Sequence, residues 1–398
     1  MKKILAMLLA LVMVMGLVAC GTDAPETTAP AETTDPAEST PAETNPAEST
    51  PAVSDVEYKI AMITDYGDIT DQSFNQTTYE AVKAFSEANG VAYNYYKPSG
   101  DSTAERIAMV DAAIVDGYNV IVMPGFAFGE TLAEVADLYP EIKFVALDVA
   151  EGEGGFTATE NVFSAVYQEE LSGYMAGYAA VKLGYKHLGY LGGMAVPAVQ
   201  RFGYGYLQGI DAAAKELGIV GDIKVEYVYG NQFYGDADIT AVMDTWYGEK
   251  GVECVFACGG GIFTSAAEAA AKVGGKVIGV DVDQAAIIDG QYGEGMTVTS
   301  AMKGLAPTVN TLLTAIVLED NWAAYAGKIE TLGLVSADPE ANYVQIPMAS
   351  TQFAEGFTAE DYSALVAAMF EGTVAVSGDI SAFPTTEVAV ETYADIKG

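Results

Sequence analysis

Residues 58–88 read YKIAMITDYGDITDQSFNQTTYEAVKAFSEA, and three patterns follow one another in them. The apolar run at 58–64 has the length and composition of a buried strand. The turn at 65–75, DYGDITDQSFN, packs three aspartates, an aromatic ring and an amide together. A helix-like stretch follows at 76–88. A polar turn between strand and helix lies at the carboxyl end of the strand, where open α/β sheets bind ligands.

The alternation continues outward from this unit. Strand-like segments at 91–96, 119–124 and 143–148 are separated by helical ones at 104–116 and 130–138. The run NVIVMP (119–124) is of the kind buried on both faces of a parallel sheet. Beyond an apolar stretch at 156–163, helices are expected at 168–183, 197–216, 236–246, 263–273 and 307–318. Strands are expected between them at 187–193, 224–229, 254–258, 276–281 and 296–302. Strands alternating with helices imply right-handed βαβ units and parallel sheets. They are too many for one compact sheet, so the expected fold class is α/β with two doubly wound lobes. Residues 56–398 suffice for two lobes of ordinary size.

Polar residues and glycines gather where these strands end: Asp65, the turn at 125–130, Asp148, Arg201 with Phe202, the glycines 259–261, and Asp281 with Asp283. Two lobes facing one another with these ends enclose a deep polar cleft.

In front of this part stand two segments of another kind. Lys2 and Lys3 precede an apolar run of about 15 residues, short of the roughly 20 a membrane span needs. Leu17-Val18-Ala19-Cys20-Gly21 then has the form of a lipobox, so residues 1–19 are expected to be a lipoprotein signal peptide with Cys20 acylated. Residues 20–55 carry PAEST, PAETN, PAEST in succession and no Lys, Arg or aromatic residue. With little apolar surface to bury, they are expected to be an extended acidic tether; a glycosylated stalk is the alternative. The expected location is the extracytoplasmic face of the membrane, held by the lipid.

The formal charge is -37; with eight tether acids and two signal lysines set aside, the folded part keeps about -31. Such a surface repels phosphate backbones, which argues against nucleic acid as a partner. Cys254 and Cys258, on one face of a strand, would lie about 13 Å apart at ~3.3 Å per residue. A disulfide needs Cα atoms within about 7 Å, so both are expected to be free and buried. With His187 the chain's one histidine, a zinc site or a histidine-based catalytic pair has little to be built from. No cofactor is expected.

Within the expected cleft, Phe74 offers a face for stacking, and the Asn75 amide both donates and accepts at a heterocycle edge. Asp65 accepts from a ring N–H or an amine. A buried carboxylate needs partners, so Asp148 and Asp281 are expected to face the cleft, where two carboxylates can clamp vicinal hydroxyls. Lys303 would complete and balance that set. Each residue also has a structural reading: Ser73 or Asp71 as a helix cap, Phe74 as core, each strand-end aspartate as a cap, Lys303 as a solvated cation. Gly259 and Gly260 open a helix without the ending of a P-loop, so close backbone approach to an uncharged ligand is expected. The pair Asp281 and Asp283 is a weak signal for a metal.

The segments DYGDITDQSFNQTTYE, EVADLYPEIKFVALD, YQEELSGYMAGYAA, GYLGGMAVPAVQRFGYGYLQG, GGKVIGVDVDQ and VTSAMKG occur in that order. Together they resemble the basic membrane protein (Bmp) family of ABC-transporter substrate-binding lipoproteins, which includes the purine nucleoside receptor A group. The resemblance covers roughly residues 58–303. It implies a type I periplasmic-binding-protein fold and a nucleoside held between the lobes. It implies delivery to an ABC permease. The sequence offers no nucleophile–base pair and few metal ligands, so no enzymatic activity is expected, and the chain is expected to be a monomer. By the same resemblance Asp65 and Asn75 read the base, Phe74 and Phe202 stack on its two faces, and Asp148, Asp281 and Lys303 contact the ribose. Gly259 and Gly260 form the turn beside the ligand, although this chain reads GGGIFTSA where the family commonly has G-G-T-G-x-G. Two other functions fit the sequence less well: a sugar-binding or signalling receptor on the same fold, and a metal-dependent nucleoside hydrolase using Asp281 and Asp283.

Overall fold

A computed structural model describes residues 56–398; the expected signal peptide, Cys20 and tether lie outside the described residues. The strands form two parallel-type sheets. The first sheet holds β1 (Lys59–Ile63), β2 (Ala92–Tyr96), β3 (Val120–Pro124), β4 (Lys143–Leu147) and β5 (Val162–Tyr167). A later strand, β11 (Lys328–Leu332), returns to its edge, giving the order β11-β5-β4-β3-β1-β2. The second sheet holds β6 (His187–Gly192), β7 (Lys224–Tyr229), β8 (Cys254–Cys258), β9 (Lys276–Asp281) and β10 (Thr297–Lys303). With β12 (Val344–Gln345) and β13 (Ala389–Thr392) its order is β12-β10-β9-β8-β6-β7-β13. Among the described strand pairs, β10–β12 alone is antiparallel. Both central strands β3 and β8 are buried along their whole length, as apolar runs covered on two faces must be.

Helices cover both faces of each sheet. The first lobe uses α1 (Phe74–Asn89), α2 (Thr103–Val115), α3 (Phe128–Val135) and, from later in the chain, α9 (Leu305–Leu313). The second uses α4 (Glu169–Lys182), α5 (Pro197–Leu217), α6 (Ala237–Asp244), α7 (Phe263–Ala271), α8 (Ala285–Tyr292) and α10 (Ala359–Phe370). The chain therefore crosses between lobes three times: from β5 into α4, from β10 into α9, and from β11 into β12.

Four glycines set how closely α4 and α5 approach. A Cβ on Gly173, Gly177, Gly205 or Gly209 would stand 2.0–2.2 Å from a carbonyl oxygen of the facing helix. No residue larger than glycine fits there, so the backbones touch. The first turns of both helices, which carry Glu169 and Arg201, are thereby brought together.

The two-lobed α/β expectation holds, with local corrections. The apolar stretch at 156–163 is mostly loop, and the strand begins at Val162; Phe156 is buried without belonging to a strand. Helix α8 and everything after α9 extend the expected pattern. Cys254 and Cys258 are free and buried. Among the described residues, no helix is long and apolar enough to cross a membrane.

Candidate functional site

The carboxyl ends of both sheets line a single cavity of about 520 Å³. Asp65, Phe74, Asn75, Asp148, Phe202, Gly259, Gly260, Asp281 and Lys303 all reach its wall. Residues up to 238 apart in sequence (Asp65 and Lys303) are thus gathered by one feature of the topology, the common direction of parallel strands.

Lys303, the last residue of β10, is at the centre. Its ammonium lies 2.5 Å from Asp148 Oδ2, 3.6 Å from Asp281 Oδ1 and 3.7 Å from Glu169 Oε1. It also stands 4.5 Å from the centroid of the Phe74 ring and 5.7 Å from those of Tyr167 and Phe202. Burial alone would depress the lysine, but the Asp148, Asp281 and Glu169 carboxylates outweigh it and hold the ammonium above its ordinary value. Burial raises Asp281 and Glu169 above the usual carboxylate range; Lys303 opposes the rise at Asp281, and Arg201 and Lys303 oppose it at Glu169.

The two strand-end aspartates share a backbone device. Asp148 and Asp281 have φ of 62° and 66°, the left-handed region that few non-glycine residues adopt. Strain of this kind is concentrated at ligand sites, where the surrounding structure enforces it. Here it turns one carboxylate from each lobe toward the same ammonium.

The opening turn is held from within. Asp65 Oδ1 accepts from the backbone N–H groups of Tyr66 and Gly67, both at 2.7 Å. Burial raises the Asp65 carboxyl above its ordinary value, and these two bonds oppose the rise. Asp71 caps α1, accepting from the backbone N–H of Ser73, Asn75 and Gln76 at 2.9–3.0 Å. The expectation that Ser73 caps the helix is corrected: its hydroxyl makes no cap bond. It donates instead across the cleft to Asp281 Oδ2, 2.6 Å away, because the buried carboxylate is the stronger acceptor. Gln284 Nε2 likewise crosses to the Gln72 carbonyl at 3.0 Å, and the Tyr66 hydroxyl reaches Met194 Sδ at 3.0 Å.

Asp283 is the second correction. It is exposed, and its carboxylate accepts from the Ala285 N–H at the start of α8. It does not join Asp281 at the cavity wall. Phe202 is buried and packs edge-on against Phe256 at 6.0 Å, with part of its ring reaching the cavity. Gly259 and Gly260 have φ of 153° and 52°, and a Cβ on Gly260 would stand 2.9 Å from the Phe233 carbonyl oxygen. Their conformation and crowding both require glycine.

Residues 58–337 match the Bmp family, described as ABC transporter substrate-binding protein PnrA-like. The chain belongs to the Bmp family. The ABC transporter nucleoside-binding protein BmpA of Lactococcus lactis subsp. cremoris is 30% identical over 241 residues, 57% of this chain and 65% of that protein. The chain thus spans just under two thirds of that relative's length. Basic membrane protein B of Borreliella afzelii is 27% identical over 292 residues, covering 69% of this chain and 78% of that one. Among solved structures, an ABC transporter solute-binding protein from Aeropyrum pernix K1 aligns with a TM-score of 0.63 at 24% identity, over 80% of this chain and 87% of that one. That likeness concerns the fold.

In the Bmp chain, sequence reasoning missed Tyr66, Phe126 and Phe233 on the cavity wall and Glu169 behind it, beside Lys303. Glu169 is fully buried, with Oε2 2.5 Å from Arg201 Nε and Oε1 facing Lys303. In the sequence it is one of two acids opening a helix, an ordinary complement to the helix dipole. The close-packed glycines of YQEELSGYMAG and QRFGYGYLQG were the available signal, since they force the two helix starts together.

Proposed function

We propose that this chain is the lipid-anchored, extracytoplasmic binding subunit of an ABC importer and that it carries a purine nucleoside between its lobes to the permease. In this reading Cys20 bears the lipid, residues 20–55 are the tether, and residues 56–398 are the two-lobed binding domain. The observation that carries it is the composition of one cavity wall. Aromatic rings at Phe74 and Phe202 stand beside a Lys303–Asp148–Asp281 cluster, and Asn75 Oδ1 and Asp148 Oδ1 are buried without a hydrogen-bond partner. Rings suit a planar base, carboxylates suit vicinal hydroxyls, and buried polar atoms left unpaired in the protein call for partners from a ligand. The cavity is within the usual range for small-molecule sites, roughly 300–1,000 Å³. Membership of the Bmp family and the nucleoside-binding name of the L. lactis relative point the same way.

The test is calorimetric titration of ligand-stripped protein with purine nucleosides and free bases. Phe74→Ala is expected to weaken nucleoside binding roughly five- to 150-fold, the effect of losing a base–aromatic stack of about 1–3 kcal/mol. Asp281→Ala is expected to hurt nucleosides far more than free bases. Absence of any nucleoside binding at millimolar concentration sinks the reading. Equal loss for base and nucleoside in Asp281→Ala sinks the ribose role alone.

A further inference from the structure

The base end of the cleft differs from the sugar end in which hydrogen-bonding groups are left over. Asp65 has Oδ1 engaged by two backbone N–H groups of its own loop. Among the described residues no donor reaches its Oδ2, which lies 3.0 Å from where a Cβ on Gly125 would stand. Asn75 donates from Nδ2 to Asp71 Oδ2 at 3.1 Å, and its Oδ1 is buried with no donor.

The Asn75 orientation is not free. Asp71 accepts three backbone N–H groups in capping α1, so its carboxylate is fixed in place. A carboxylate only accepts, so it takes the amide nitrogen and turns the amide oxygen away. Gly67 lets the two side chains share one corner of the cavity: a Cβ there would stand 2.4 Å from Asn75 Nδ2 and 3.1 Å from Asp65 Oδ1, the atoms already engaged within the protein. No side chain intervenes.

Granting the nucleoside reading above, we propose that Asp71 fixes Asn75 so that the Asp65–Asn75 pair offers the base edge two acceptors, and that the site therefore selects guanine over adenine. Guanine presents two donors side by side, the ring N1–H and the exocyclic 2-amino group. These match Asp65 Oδ2 and Asn75 Oδ1. Adenine offers one donor, its 6-amino group, next to the unprotonated N1, which would face an oxygen with no proton between them. Cytosine has the same defect at N3. Hypoxanthine keeps the N1–H and lacks the amino group. The part played by Asp71 is positioning; it acts on the base through Asn75.

The experiment titrates stripped full-length protein with guanosine, inosine, adenosine and cytidine. Guanosine is expected to bind tightest and inosine next. Adenosine and cytidine are expected to be weaker than guanosine by roughly 10- to 100-fold, as for a buried acceptor left facing an acceptor. Asp71→Asn keeps a capping oxygen and so preserves α1. It also adds a donor that can take Asn75 Oδ1 and turn Nδ2 toward the ligand. The guanosine-to-adenosine ratio is expected to fall at least five-fold in this variant, with the melting temperature within a few degrees of the parent. Adenosine binding the parent as tightly as guanosine overturns the guanine assignment while leaving the nucleoside reading standing. An unchanged ratio in a folded Asp71→Asn overturns the positioning role. Failure of all four nucleosides overturns both readings together.

Discussion

The second sheet carries a buried charge cluster at each end, and the two are built differently. At the amino end, Glu226 of β7 is fully partnered. Its Oε1 lies 2.9 Å from His187 Nε2, and its Oε2 takes Lys250 at 3.0 Å and the Tyr393 hydroxyl. At the carboxyl end, Lys303 faces three carboxylates, while Asp148 Oδ1 and Glu169 Oε1 have no hydrogen-bond donor. A closed set of partners holds β13 and the end of the chain against β7. Of the open one, Asp148 lines the cavity, whereas Glu169 is wholly buried behind it. Both ends hold charge; on the proposed reading, the unsatisfied Asp148 oxygen on the cavity wall separates the binding end from the structural one.

The largest effect separating the two ends should come from Lys303→Met. It leaves Asp148 and Asp281 without their cation and Glu169 with Arg201 alone. Breaking a buried pair in this way destabilises by about 3–5 kcal/mol, and affinity for the proposed nucleoside should fall by roughly 100-fold or more. The pH dependence has a definite sign. Burial already raises Asp281 and Glu169, and removing the lysine raises them further. A carboxyl raised on folding loses stability as pH rises above its unfolded value. The variant should therefore lose more stability at pH 8 than at pH 5 in urea melts. A penalty equal at both values would mean that uncompensated carboxylates are not its source.

Glu170, next to Glu169 on α4, gives an effect of intermediate size. It is buried on α4, its Oε2 has no partner, and burial pushes its carboxyl up to about 7 from 4.5. The folded protein thus holds a proton that the unfolded chain has released, so stability falls as pH rises from about 4.5 to 7. The full effect is at most about 3 kcal/mol. Glu170→Gln removes that slope. Its melting temperature relative to the parent should rise between pH 5 and pH 8 by several degrees. A difference independent of pH would show that the carboxyl is not held protonated.

Much of this arrangement is legible in the sequence because strand direction does the placing. Once KIAMI, VIVMP, KFVAL and KVIGVD are read as parallel strands, the residues ending them must share one side. The illegible parts have physical causes. KIETL of β11 is half exposed on a sheet edge, so it lacks the apolar run that marks β3. Ser73 has the composition of a cap, but Asp71 is the better anionic acceptor for the α1 amides, which frees the serine for Asp281. The left-handed backbones of Asp148 and Asp281 leave no trace in composition. Glu169 is indistinguishable from a solvated helix-opening acid until α4 and α5 are brought into contact.

The smallest effect should come from Glu226→Gln, and it bears most directly on the comparison between the two ends. Glutamine keeps the volume and one acceptor oxygen while losing the charge that His187 and Lys250 share. Burial raises the Glu226 carboxyl, but Tyr393, His187 and Lys250 more than reverse this and hold it below its ordinary value. A carboxylate depressed on folding contributes stability above its unfolded value, and that contribution fades as pH falls through the folded one. The substitution should therefore destabilise by about 1–2 kcal/mol at pH 7, less at pH 4. Its distance from the cleft is a strand's length, on the order of 10–15 Å at ~3.3 Å per residue. Sites that far apart with no shared partner behave additively, so nucleoside affinity should stay within two-fold of the parent. If calorimetry instead finds affinity lowered ten-fold in a variant that is still folded, the two ends of the sheet are coupled. The amino-end cluster would then belong to the binding machinery, and partnering alone would not tell a structural cluster from a functional one.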